Sequence, residues 1–206
     1  MAKSTTALKR TRHSRLSTEL RQETVLEEAT RIIAERGYKD ISIQEVADRC
    51  RISKTLLLYY FGSKDGLLVA LLQFRVSRDT AALSWLRSEV NTRGEVTLKS
   101  VHKMLHAIVE RNVSQPGILR FYCVLRAEAL DRDHPAYAFF LERQKSTLRH
   151  YEQALAPNDP QPEFTARQLM ALMIGLEEQW LREEEKFDLL KHWDHAVARL
   201  LPLKEL

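Results

Sequence analysis

Residues 42–67 read Ser42-Ile43-Gln44-Glu45-Val46-Ala47-Asp48-Arg49-Cys50-Arg51-Ile52-Ser53-Lys54-Thr55-Leu56-Leu57-Leu58-Tyr59-Tyr60-Phe61-Gly62-Ser63-Lys64-Asp65-Gly66-Leu67. Ser42 followed three residues later by Glu45 is a capping-box signature, which predicts a helix start. The short helix it opens, over about 43–50, turns Ile43, Val46 and Ala47 inward. Arg51-Ile52 makes a turn. Ser53 then caps a second short helix over about 54–60, which Gly62 ends. Ser63 caps the next helix, with Lys64, Asp65 and Gly66 in its first turn and Leu67, Leu68, Leu71 and Leu72 beyond; it is expected to run to about Val90. Upstream, Leu20, Val25, Ala29, Ile32 and Ile33 follow helical spacing from Thr18, and Gly37 stops that pattern.

Short helices joined by a tight turn fit a helix-turn-helix. The helix over 54–60 exposes Lys54, Thr55 and Tyr59, with Tyr60 at the edge. Lysine reaches guanine O6/N7 or a phosphate, threonine a base edge or a thymine methyl, and tyrosine a phosphate oxygen. Lys64 sits where the amides of a helix start point outward, a setting suited to an anion. Leu57 is expected in the core, and Leu56 within reach of a thymine methyl. Phe61 is expected to pack inward, whereas core and surface readings of Tyr60 are evenly balanced.

Charge supports this reading. Residues 1–65 carry 13 Lys/Arg and 9 Asp/Glu, whereas residues 66–206 carry 19 of each. The whole formal excess of +4 therefore lies on the first third. Lys3, Lys9, Arg10, Arg12 and Arg15 occupy residues 1–15 with no acid among them. Such an arm either neutralises phosphates or solubilises the terminus.

Other classes find less support. No apolar run approaches the roughly 18–20 residues that span a bilayer, so no membrane partner is expected. The basic N-terminus lacks a following apolar segment, as a secretory signal would need. Cys50 and Cys123 form no CxxC pair and read as reduced thiols of a cytoplasmic protein. A glycine-rich phosphate loop, G-x-S-x-G, H-E-x-x-H and a cysteine-nucleophile signature are all missing, so an enzyme is not expected. His102/His106 and His192/His195 have helical spacing but no third ligand nearby, so neither metal nor cofactor is expected. An architectural DNA binder would carry a larger and more evenly spread positive charge.

The rest of the chain reads as helices throughout. Expected segments are 96–113, 117–130, from His134-Pro135 to about Leu155, 163–185 and 187–201, with a loop at Pro157–Pro162. Gly175 inside a helix costs about 1 kcal/mol against alanine, which suits close approach of another helix. Leu189, Leu190, Trp193, Val197, Leu200 and Leu201 form a wide apolar stripe. Core packing within one chain and dimerisation both explain that stripe; dimerisation is the favoured expectation.

The run from Gly37 through Leu67 resembles the DNA-binding domain of TetR-family repressors. That family usually shows Ser/Thr before an Ile-Ala helix, a Val-Ser turn, a Tyr-x-Tyr/His-Phe end and a Ser-Lys-Glu-x-Leu continuation. Arg51 departs from a usual turn glycine, Thr55 from a frequent glycine and Leu58 from a frequent tyrosine. Ala166–Leu176, continuing to Trp180-Leu181, is more weakly similar to the family's eighth helix, with Ile174-Gly175-Leu176 where many members have Asp-Gly-Leu.

The resemblance implies an all-α chain: an N-terminal three-helix helix-turn-helix head and an about six-helix ligand-binding and dimerisation body. The expected divisions are a flexible basic arm over 1–18, the head over 19–66 and the body over 67–206. It implies DNA contacts from Ser42, Gln44, Ser53, Lys54, Thr55, Tyr59, Tyr60 and Lys64. It implies an effector pocket, for which Trp85, Met104, His106, Phe121, Tyr122, Arg126, Phe140, Glu177 and Trp180 are candidates; for each, core packing is the competing reading. Arg126 and Glu177 are the more pointed candidates, because a charge on an apolar helix face needs a partner or a ligand. It also implies a homodimer, with Leu169, Met173, Gly175, Leu176, Leu190, Trp193, Val197 and Leu201 at its interface. The expected function is a repressor that an unidentified small effector releases from palindromic double-stranded DNA. An activator or an effector-independent regulator is the alternative.

Overall fold

The computed structural model describes residues 3–92 and 97–201, with side chains for 18–79 and 97–201. Among the described residues the chain is helical without strands: α1 (Lys3–Arg36), α2 (Ile43–Arg49), α3 (Lys54–Phe61), α4 (Lys64–Thr92), α5 (Leu98–Val113), α6 (Pro116–Glu128), α7 (Tyr137–Leu155), α8 (Pro162–Arg182) and α9 (Leu189–Leu200). The all-α class is as expected. α1 begins well before Thr18, where its apolar spacing starts; residues 3–17 contain neither Gly nor Pro to stop a helix. The basic side chains of that segment lie outside the described residues, as does Trp85.

Helix ends follow local chemistry. Ser42 Oγ accepts the Glu45 amide at 3.1 Å, Ser53 Oγ the Leu56 amide at 3.1 Å, and Ser63 Oγ the Gly66 amide at 2.9 Å. Ser42 and Glu45 were expected to cap each other, but the Glu45 carboxylate faces Arg36 and, at 3.5 Å, Arg49. Two guanidinium groups offer that carboxylate a charged partnership that a single amide does not. A complete capping box occurs instead at Thr97–Ser100, at the start of α5.

The turn between α2 and α3 is a Schellman motif. Arg51 N–H donates to Asp48 O at 3.1 Å and Ile52 N–H to Ala47 O at 3.0 Å. Arg51 holds φ 55°, the left-handed region that glycine occupies without strain. After α3, the first turn of α4 presses so closely on its end that a Cβ at Gly66 would meet Phe61 O at 2.0 Å.

Two apolar clusters form the interior. The first joins α1, α2, α3 and the start of α4 to α6 through Phe121, Leu125 and Ala129. The head therefore shares its core with the body. The second joins α5, α7, α8 and α9 around Leu105, Leu155, Leu169 and Trp193. Leu20 stands 65% exposed although its spacing matched the apolar face of α1, and Leu130 stands 80% exposed beyond the end of α6.

Candidate nucleic-acid interface

α3 lies across α2 and is anchored by one fully buried side chain, Leu57, against Val46 and Ala47. An eight-residue helix has room for little more. Anchoring through Leu57 turns Lys54, Thr55 and Tyr59 to solvent, and Tyr59 is 82% exposed. An exposed tyrosine of that extent has no packing reason to be there. Leu56, Tyr60 and Phe61 are half-buried, and the Tyr60 ring lies 5.9 Å from that of Tyr59 and 6.1 Å from that of Phe61.

The other expected contact residues sit at helix starts and on α2. Ser53 is exposed at the start of α3, and Ser42 is exposed at the start of α2. Gln44 is exposed on α2, where its Nε2 donates to Asp48 Oδ1 at 2.8 Å. Lys64 is tethered: its ammonium donates to Lys39 O at 3.1 Å and lies 4.5 Å from the centre of the Tyr38 ring. Tyr38 in turn donates its hydroxyl to Asp65, and burial together with that carboxylate pushes the phenol well above its usual range. Lys64 thus has a fixed place at the edge of the head.

Several arginines of the head are taken up by ion pairs. Arg31 pairs with Glu28, Arg36 with Glu45, and Arg49 with Glu28, Glu35 and Glu45. Lys54 and Arg51 make no ion pair or side-chain hydrogen bond among the described residues. Arg51 was read only as a departure at the turn. It is an exposed cation immediately before α3, and its left-handed backbone is the signal that sets it apart.

In the body, the described pocket candidates are divided between the two apolar clusters and the polar contacts beside them. Phe121 is fully buried in the first cluster and Trp180 in the second, while Met104 is half-buried against the second. His106 Nδ1 stands 2.8 Å from Asp194 Oδ1, linking α5 to α9. Tyr122 and Phe140 meet edge to face at 6.5 Å. Arg126 pairs with Glu178 at 3.2 Å and reaches the Cys123 sulfur at 3.6 Å. Glu177 is 4% exposed and accepts Asn112 Nδ2 at 2.6 Å; burial pushes its carboxyl up to about 7.

Sequence reasoning missed a polar cluster beside these residues. The Asp79 carboxylate accepts Arg111 Nη2 at 2.6 Å, the Tyr122 hydroxyl at 2.9 Å and Arg143 Nη2 at 3.3 Å. The available signal was Arg75 and Asp79, spaced i, i+4 on the face of α4 that begins with Leu68, Leu71 and Leu72.

Most expected dimer contacts belong to the protomer's own core. Leu169, Met173, Trp193, Val197 and Leu201 are all buried within the single chain. α9 packs against both α5 and α8, which buries Leu189, Trp193 and Val197 of its apolar stripe and leaves Leu200 half-buried. Leu176 and Leu190 are half-buried. Among the described residues no helix closes on Gly175, where a Cβ would meet nothing within 4 Å.

Comparison with known proteins agrees with the head's geometry. A family described as "Bacterial regulatory proteins, tetR family" matches residues 25–71. The chain is 27% identical over 169 residues to the HTH-type transcriptional regulator BetI of Stenotrophomonas maltophilia, covering 79% of this chain and 81% of that one. It is 28% identical over 90 residues to the HTH-type regulator YuxN of Bacillus subtilis, a match to 44% of this chain but only 30% of that protein. Its fold is similar to that of a TetR transcription regulator from Haloarcula marismortui, with TM-score 0.73 at 16% identity, covering 89% of this chain and 97% of that one.

Proposed function

For a chain that belongs to the TetR family and is a DNA-binding transcriptional regulator, we propose the specific role of a homodimeric repressor, released from a palindromic operator by a small effector. The observation that carries it is the outward face of α3, where Lys54, Thr55 and Tyr59 stand exposed over a single buried anchor, Leu57. Lys54 and Thr55 read base edges in the major groove, joined by Gln44. Ser42, Ser53, Tyr59, Tyr60 and Lys64 hold phosphates.

Two such heads need a two-fold partner to read two half-sites about one helical turn apart. The open side of α8 at Gly175, with Leu176 and Leu190, is the surface for that partner, in place of the buried stripe. Gly175→Trp should convert a dimer to a monomer in sedimentation velocity and leave the helical content intact. The effector acts from the body, and its effect equals its difference in affinity between the DNA-bound and free conformations.

Footprinting on the DNA flanking the chain's own gene tests this reading. The expected result is protection of a palindrome with about 10³-fold or greater preference over bulk DNA. Uniform weak binding to all DNA would overturn it. Footprints that no small molecule relieves would overturn release by an effector and leave operator binding standing.

A further inference from the structure

The buried apolar side chains fall into two clusters, and polar side chains from α4, α5, α6 and α7 meet in one network. Asp79 of α4 is the centre, tied to Arg111 of α5, Tyr122 of α6 and Arg143 of α7. One turn earlier on α4, Arg75 is 7% exposed. Its Nη2 donates to Thr30 Oγ1 at 3.3 Å, and its buried Nε has no acceptor among the described residues. Arg78, also on α4, pairs instead with Glu23 and Glu27 of α1.

Two guanidinium groups therefore share one carboxylate, and a third, that of Arg75, lies one turn away on α4 with no ion pair among the described residues. Glu177, the buried acid of α8, is committed to Asn112. Arginine keeps its charge at any pH the protein meets, so the excess cannot be removed by deprotonation. A buried guanidinium needs acceptors for all its donors, and the Nε of Arg75 has none among the described residues.

We propose that this cluster is the recognition site for a small organic anion with an apolar body. The inference rests on the reading that the body binds an effector. Carboxylate-type oxygens take the forked donors of Arg111 and Arg143 and the vacant Nε of Arg75. The edge-to-face pair Tyr122–Phe140 gives the ligand's apolar part a flank. Arg143, whose side chain is 39% exposed, marks the way in. Asp79 is the internal competitor: an incoming anion takes its arginines and frees α4 from α5 and α7. Because α4 starts at Lys64, a shift of this helix reaches the DNA-facing edge directly.

Calorimetric titration of the full chain without DNA tests the site. The probes are sodium benzoate, octanoate and decanoate, with octanol and octylamine as uncharged and cationic controls. The expected result is that a carboxylate binds at least ~10-fold more tightly than its controls. Arg143→Gln should weaken it by ~10-fold or more, and Asp79→Asn should tighten it. Arg111→Gln removes the shortest partner of Asp79 and can fail to fold, so Arg143→Gln, at the rim, carries the test with far-UV circular dichroism as the folding check. Equal binding of octanol, preference for octylamine, no carboxylate binding or indifference to Arg143→Gln would each overturn the proposal. Operator affinity is measured separately. A carboxylate that binds the free chain but leaves operator affinity unchanged supports the anion site and overturns its regulatory role.

Discussion

The Glu128 carboxylate accepts the backbone N–H of Tyr38 at 2.8 Å, fastening the end of α6 to the loop that leads from α1 into α2. Gly37 makes room for it: φ is +84°, and a Cβ would meet Glu128 Oε1 at 2.2 Å. His134 stacks edge-on to Tyr38 at 5.2 Å, and its Nε2 lies 3.7 Å from Glu128. Burial holds its imidazole below the usual range, so this joint is built around a neutral histidine. Head and body are thus coupled by a specific acceptor as well as by the shared apolar core.

Gly37→Ala should destabilise the chain by about 2 kcal/mol, the left-handed backbone and the displaced Glu128 both contributing. Glu128→Gln keeps an acceptor for Tyr38 and should cost less than about 1 kcal/mol. Urea denaturation of both variants distinguishes them. Equal losses would show that charge, rather than the acceptor geometry, holds the joint.

Arg51→Gly should raise stability by about 0.5–1 kcal/mol. Relief of about 1–2 kcal/mol for a side chain in the left-handed region is partly offset by the extra freedom of glycine in the unfolded chain. The same variant removes an exposed cation beside α3, so operator binding should weaken while the melting temperature rises. Opposite movement of the two readouts is the signature.

Burial raises the Glu177 carboxyl from 4.5 to about 7. Between those values the folded chain holds a proton that the unfolded chain has released. Stability attributable to this group is therefore full below about pH 4.5, falls as pH rises towards 7 and levels off above it, a change on the order of 3 kcal/mol. Glu177→Gln removes this dependence and keeps an acceptor for Asn112. The stability difference between the two proteins, measured by denaturation at pH 5 and pH 8, should shift in favour of the variant at the higher pH.

Tyr59→Ala should change stability by less than about 0.5 kcal/mol, since the ring is 82% exposed. It should still weaken operator binding by roughly tenfold through a lost phosphate contact. Leu57→Ala should do the reverse in kind, costing about 2–5 kcal/mol of stability because it empties the one buried anchor of α3. An operator affinity unchanged in Tyr59→Ala would remove α3's outer face from the interface.

The head is legible from local sequence alone. Caps at Ser42, Ser53 and Ser63, the turn at Arg51-Ile52 and the inward Val46, Ala47 and Leu57 are local features, each decided by neighbours within a few residues. Local rules also placed Lys54, Thr55 and Tyr59 outward, because a short helix with one buried anchor leaves no choice of face. The body depends on which helices, distant in the chain, meet in space. An apolar stripe such as Leu189, Trp193 and Val197 fits a partner chain and the chain's own core equally well, and the packing of α9 onto α5 and α8 chose the core. The same holds for charge. Glu45 turned from its expected cap to Arg36 and Arg49, and Asp79 drew arginines from α5 and α7, because an ion pair depends on which helices meet in space rather than on spacing along the chain.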